Sequence, residues 1–196
     1  MGYIILTGGI ASGKSSVSKM LSENGFSVVD ADKIAHEVLN KKIDEITNAF
    51  GSEFVKNGEI DRKKLGALVF KDKSKRELLE HILHEDIYKQ IANETALLKR
   101  QKKPFVVDIP LFFEKEGVYE SDLTAVVYAP KFEQIARLMR RSGLTKDEAE
   151  DRVAAQLDIE QKKAKADIVI DNSKDFAHLQ KEVEKFITIL KERNVS

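Results

Sequence analysis

Five short runs of near-continuous apolar residues punctuate the chain: Tyr3–Thr7, Phe26–Asp30, Phe105–Ile109, Leu123–Ala129 and Asp167–Asp171. They are rich in Val and Ile rather than alternating, which is the pattern of strands buried on both faces of a parallel sheet. Helical spacing fills the intervals. Val17, Met20 and Leu21 give an i, i+3, i+4 face to a first helix, Ser16 to Asn24, with Gly25 as its C′ residue. Leu179, Val183, Phe186, Ile187 and Leu190 form the apolar face of a last helix, from about Asp175 to Arg193. Strands alternating with helices predict a doubly wound α/β fold, here a parallel five-stranded sheet with ligands at the carboxyl ends of its strands.

Two segments break that rhythm. From Asp32 to Pro104 no strand pattern appears, and helical patterns occupy Lys33–Leu39, Asp44–Phe50, Arg62–Phe70 and about Lys75–Arg100. A parallel crossover needs only about a dozen residues, so this length predicts a helical subdomain inserted over about 33–103, at the ligand edge of the sheet. The second segment covers about 131–160. Pro130 suits a helix N1 position, and Ile135, Leu138 and Met139 make an apolar face. Gly143 ends that helix, and Thr145 with Glu148 three residues on spells a capping box for the next. Two helices hinged around Arg140-Arg141-Ser142-Gly143 predict a lid.

Composition narrows the partners. Basic and acidic residues are equal at 33 each, so no broad field draws the chain to nucleic acid or an anionic membrane, and any anion site must be local. The absence of cysteine removes disulfides, thiolate metal sites and cysteine nucleophiles. Met1-Gly2-Tyr3 carries no basic leader pattern, and no apolar stretch nears the ~18 residues of a membrane span. A monomeric cytoplasmic protein with neither nucleic acid nor membrane as partner is expected. His81, His84 and Glu85 share a helix face, yet the spacing matches neither common zinc-helix motif. The basic runs Lys71–Arg76 and Lys99–Lys103 read as solvated helix faces.

The chemistry is carried by Gly8-Gly9-Ile10-Ala11-Ser12-Gly13-Lys14-Ser15, a full match to G-x-x-x-x-G-K-[ST] set between the first strand and the first helix. In that setting Gly8 and Gly13 permit positive φ and close backbone approach, and successive N–H groups with the helix N-terminus cradle phosphates. Lys14 supplies charge to the β- and γ-phosphates, and the Ser15 hydroxyl holds Mg²⁺. ATP with Mg²⁺ is the expected ligand. A GTPase switch is excluded by the lack of D-x-x-G and N-K-x-D. Asp30-Ala31-Asp32 ends the second strand, where a carboxylate can accept a hydroxyl proton or hold the metal. A helix N-cap at Lys33 is the structural alternative for Asp32. Asp108, closing the third strand, takes a Walker B-like place with metal contact and a turn role both open.

With these motifs on the page, the chain closely resembles the dephospho-CoA kinase family. The resemblance runs through Thr7–Ser15, Asp30-Ala31-Asp32, Leu65–Phe70, Asp108–Glu114, Arg152 with Ala154-Ala155-Gln156, and Asp167–Ser173. It implies transfer of the γ-phosphate of ATP to the ribose 3′-hydroxyl of dephospho-CoA, the last step of coenzyme A biosynthesis. It also implies Asp32 as general base, Arg141 as the lid arginine, with Arg140 adjacent, and Arg62, His84 and Asp108 on the acceptor side. Ser16 extends the ATP loop and Asn172 is placed near the adenine by the same resemblance. The chain departs from the family's usual pattern with Glu85 after His84 where proline is common, Ser16 for threonine and Phe112 for leucine. The segment after Leu39 is also shorter than usual and lacks the common Pro-Gly turn. Another small kinase with this loop, acting on a nucleoside monophosphate or metabolite, and a nucleotide-binding regulatory module remain as rival readings.

Overall fold

The computed structural model describes residues 3–114 and 119–194, so Met1-Gly2 of the start inspected for a leader lie outside the described residues. Strands β1 (Tyr3–Gly8), β2 (Ser27–Asp30), β5 (Phe105–Asp108), β6 (Ser121–Tyr128) and β7 (Ile168–Asp171) build one parallel sheet in the order β2-β5-β1-β6-β7. The register sets Leu6 beside Asp108, Gly8 beside Val127, and Tyr128 beside Asp171. The carboxyl ends of β1, β5, β6 and β7 are therefore neighbours. All five apolar runs become strands, because each can bury both faces.

One face of the sheet is closed by α1 (Lys14–Glu23) and α9 (Phe176–Asn194), the two helices expected from their apolar spacing. Leu6, Val17, Leu21, Val106, Val127, Leu179, Val183, Phe186 and Leu190 form one contiguous core there. Met20 packs against it only partly buried. Gly25, at φ 86°, ends α1: its N–H donates to Ser22 O and the Phe26 N–H to Leu21 O, the paired bonds of a Schellman cap. From the start of the segment expected as a lid, α6 (Lys131–Ser142), α7 (Lys146–Ala154) and α8 (Ile159–Lys165) follow in turn. Thr145 and Glu148 form the expected capping box for α7. Two details differ from expectation. Pro130 is the N-cap of α6 rather than its first residue, with extended ψ of 152°, and the helix buries Gln134 and Leu138 while Met139 is exposed.

The chain divides into two compact units, residues 30–97 and the remainder. The first contains α2 (Ala31–Lys41), α3 (Ile43–Phe50), α4 (Arg62–Lys71) and the long α5 (Lys73–Arg100), whose end belongs to the other unit. Helix α5 runs unbroken through Glu85, which pairs with Lys89 one turn on, as the missing proline permits. Lys42 bridges to Asp86 at 2.8 Å and Gln90 donates to Glu37 at 2.9 Å, joining α2 and its end to α5. The expectation of no strand in this stretch is corrected by a small antiparallel hairpin, β3 (Val55–Lys56) and β4 (Glu59–Ile60). Its turn is Asn57-Gly58, both at positive φ, 55° and 79°, the backbone a two-residue hairpin loop requires.

Replacing Phe186, 1% exposed at the centre of the sheet-helix core, by alanine is expected to cost about 3–5 kcal/mol of unfolding free energy in urea titration.

Candidate active site

The phosphate loop occupies the point where β1 hands over to α1, at the carboxyl edge of the sheet. Its positive φ values fall at Ala11 (58°) and Gly13 (96°), not at Gly8 as expected. Gly8 is required for space instead: a Cβ there would sit 2.7 Å from Ser12 Oγ and 3.0 Å from Val127 O. At Gly13 both reasons apply, since a Cβ would also collide with Asn172 Nδ2. Helix α1 starts at Lys14 with no side-chain cap. The Ser16 N–H closes onto Gly13 O at 3.0 Å, and the Lys14 and Ser15 N–H groups before it are left for an anion, as at any helix start. Ser15 and Ser16 are exposed there.

Lys14 Nζ is ion-paired with Asp108, which is 5% exposed and also accepts from Ser18 Oγ at 3.1 Å. The structure thus brings together Lys14, at the start of α1, and Asp108, at the end of β5. Asn172 is buried beyond the end of β7, where its Nδ2 donates to Ser12 O at 2.8 Å. It braces the phosphate loop directly. Asp171, just before it, accepts from the Ser173 N–H and meets His178 Nε2 at 3.2 Å. Burial works against the Asp171 charge, but these hydrogen bonds outweigh it and hold the carboxyl below its usual range.

Several residues around the loop were not foreseen. Arg137 donates to Asn172 O at 2.8 Å and to Ser12 O at 3.4 Å. Gln134, 1% exposed, donates to Ala129 O while its Oε1 lies 2.7 Å from where a Gly9 Cβ would be. Gln156 accepts from the Ile10 N–H at 2.8 Å, and buried Lys162 donates to Gly8 O at 3.3 Å. Gln134 left a sequence signal, a polar residue one turn before Leu138 on the buried stripe of α6, and Gln156 stands in the Ala154-Ala155-Gln156 segment of the resemblance. Arg140 and Arg141 end α6 exposed, with Gly143 at φ 64° closing the helix.

The other unit carries the remaining candidates. Asp30 caps α2 by accepting from the Lys33 N–H at 3.0 Å, so the capping role considered for Asp32 belongs to Asp30. Asp32 lies exposed in the first turn of α2. Arg62 opens α4 and lines an open groove with His36, Lys56, Asn57, Glu59 and Lys63. His84 is exposed on α5 and is not among the residues lining that groove.

Glycine at position 13 is the sharpest constraint, so Gly13→Ala is expected to abolish ATP binding measured by calorimetry, with the sheet-helix core intact by circular dichroism.

Known proteins are similar to this chain in sequence and in fold. The CoaE dephospho-CoA kinase family matches residues 3–178. A dephospho-CoA kinase of Sulfurimonas denitrificans is 43% identical over 188 residues, covering 96% of this chain and 94% of its own. The solved Thermus thermophilus protein TT1252 superposes with a TM-score of 0.82 at 34% identity over 97% of this chain and 99% of its own. The dephospho-CoA kinase from Campylobacter jejuni does so at 0.73 and 33%, over 97% and 98%. A shikimate kinase from Bacteroides thetaiotaomicron, at 17% identity and a TM-score of 0.50, shares the fold. With the phosphate loop, its lysine and the buried strand-end aspartate in one edge of such a sheet, this chain belongs to the dephospho-CoA kinase family.

Proposed function

We propose that the chain transfers the γ-phosphoryl group of ATP to the ribose 3′-hydroxyl of dephospho-CoA, giving CoA and ADP. The observation that carries this reading is the phosphate loop braced at the sheet edge with Lys14 beside Asp108, in a chain of this family. In the reaction the acceptor oxygen forms a bond to Pγ, the bond from Pγ to the bridging oxygen breaks, and ADP leaves with that electron pair. Asp32 takes the hydroxyl proton. Little covalent work falls to the protein in such a transfer, so positioning and charge dominate.

Lys14 exchanges Asp108 for phosphate oxygens when the triphosphate arrives, and the loop N–H groups hold the non-bridging oxygens. Arg141, on the lid helix α6, meets the charge of the transferring group, with Arg140 beside it. The Ser15 hydroxyl and the Asp108 carboxylate are hard oxygen donors beside the phosphate position, a donor set that suits Mg²⁺ together with triphosphate oxygens. Bound there, Mg²⁺ would neutralise charge on the β- and γ-phosphates; Asp32 is the alternative carboxylate. Asn172 supports the nucleotide through Ser12 and, by resemblance, lies near the adenine. Arg62 and His84 act toward the acceptor, with the inserted helical subdomain as its binding region and 131–160 as the lid. A monomer working in the cytoplasm belongs to the same reading. Among the described residues, no helix is long and apolar enough to cross a membrane.

The test is ADP release from purified protein with MgATP, with and without dephospho-CoA, and the mass of the product. Strong stimulation with CoA formed is expected; ATP binding without acceptor-dependent turnover would discard the named substrate. Asp32→Asn is expected to keep ATP affinity while kcat falls by about 10²–10⁴, the range of general-base catalysis. Arg141→Ala is expected to lower kcat by roughly 10³ with a small change in the KM for ATP, since its contact forms in the transition state.

A further inference from the structure

Lys162 takes no part in the chemistry above, yet it is the one buried lysine or arginine among the described residues, at 0% exposure. Its Nζ pairs with Glu114 at 2.7 Å and donates to Gly8 O at 3.3 Å. The same carboxylate oxygen of Glu114 accepts from the Leu157 N–H at 3.0 Å. One residue earlier, Gln156 accepts from the Ile10 N–H at 2.8 Å. The loop after β5, the connection from α7 to α8, and the first residues of the phosphate loop are therefore tied at one charge pair, in which Lys162 is buried and the Glu114 side chain keeps part of its surface in solvent.

An ammonium group taken out of water costs more than its ion pair commonly returns, and an apolar side chain of like volume would hold the helix as well. What the apolar side chain cannot supply is direction. The Gly8 carbonyl and the Gly9 N–H belong to one planar trans peptide unit, so holding the carbonyl toward Lys162 aims the N–H the opposite way. Glu114 fixes the ammonium from the far side and, through Leu157, fixes the residue next to Gln156. A cation and its counter-ion thus set the orientation of the loop's first peptide and its distance from the segment leaving the lid.

We propose that Lys162, with Glu114 as counter-ion, is a positioning residue for ATP, orienting the Gly8-Gly9 peptide of the phosphate loop and anchoring the lid's exit at 156–157 to it. This rests on the phosphate-loop reading and not on the identity of the acceptor, so ATP binding is the primary readout and a wrong acceptor would leave it standing. The full chain carrying Lys162→Met and Glu114→Leu together loses both charges at similar volume and leaves no unpaired ammonium in the interior. With melting temperature and circular dichroism like the parent, ATP binding by calorimetry is expected to weaken about tenfold, the effect of losing one charge-assisted hydrogen bond. In turnover with dephospho-CoA the KM for ATP rises to match, while the acceptor KM stays within about twofold. Parent-like ATP affinity in the folded double variant would overturn the proposal. Should the double variant fail to fold, Glu114→Gln keeps an oxygen for the Leu157 N–H at unchanged volume. At least threefold weaker ATP binding is then expected, by the loss of the counter-charge, and unchanged affinity would overturn it.

Discussion

The turn at Gly13 is the constraint around which the site is assembled. A residue at φ 96° with the Asn172 amide filling the place of its Cβ leaves glycine as the only occupant. That amide is there because it holds the Ser12 carbonyl, and it is held in turn by the Asn172 N–H donating to Tyr128 O at 2.7 Å. Strands β6 and β7 must therefore lie in register before the loop has a wall to bend against. Arg137 spans the same gap, touching both Ser12 O and Asn172 O. The phosphate cradle is shaped by residues more than a hundred positions away, not by its own eight.

Polar burial is concentrated where this shaping happens. Of the buried polar or charged residues among those described, Thr7, Ser12, Asp108, Gln134, Lys162 and Asn172 surround the loop, and only Thr95 and Thr124 lie elsewhere. The face covered by α1 and α9, from Val17 to Leu190, is an apolar cluster throughout. Stability is thus drawn from that face and recognition from the carboxyl edge of the same sheet. An apolar face gains from burial in proportion to area, while each buried polar group must find a partner or cost about 1–3 kcal/mol. Ser12 Oγ, buried at 0% exposure with no protein partner, is the one such group left unsatisfied among the described residues, and it sits in the phosphate loop.

Much of this was legible in the chain. The five strands announced themselves because a doubly buried strand can only be apolar, and the loop because its lysine and glycines have a fixed spacing. The hairpin at 55–60 escaped notice since two-residue strands are too short to show alternation, although Asn57-Gly58 was a turn signal of known strength. Asp30 and Asp32 differ by half a helical turn, and spacing does not say which one caps. Gln156, in the connection from α7 to α8, stands in a segment of the resemblance that names no contact for it, and Lys162 lies on the short α8; their value comes from what the fold sets against them. Met139 illustrates the converse, an apolar residue at helical spacing that ended exposed because Gln134 took the buried stripe.

The strand order has a consequence for how the molecule comes into being. β1, the central strand, pairs Ile5 with Val107 on one side and with Thr124 on the other. At roughly 5–20 residues per second of synthesis, this doubly apolar strand waits on the order of ten seconds on the ribosome before either neighbour exists. Its hydrogen-bonding edges and its Ile and Leu side chains are exposed for that whole interval, a template for pairing with other nascent chains. The residues between, 30–97, form their own compact unit and can collapse in the meantime. Production of this protein is therefore most vulnerable in the first half of translation, and slowing the ribosome there lengthens the exposure of the very strand that carries the phosphate loop.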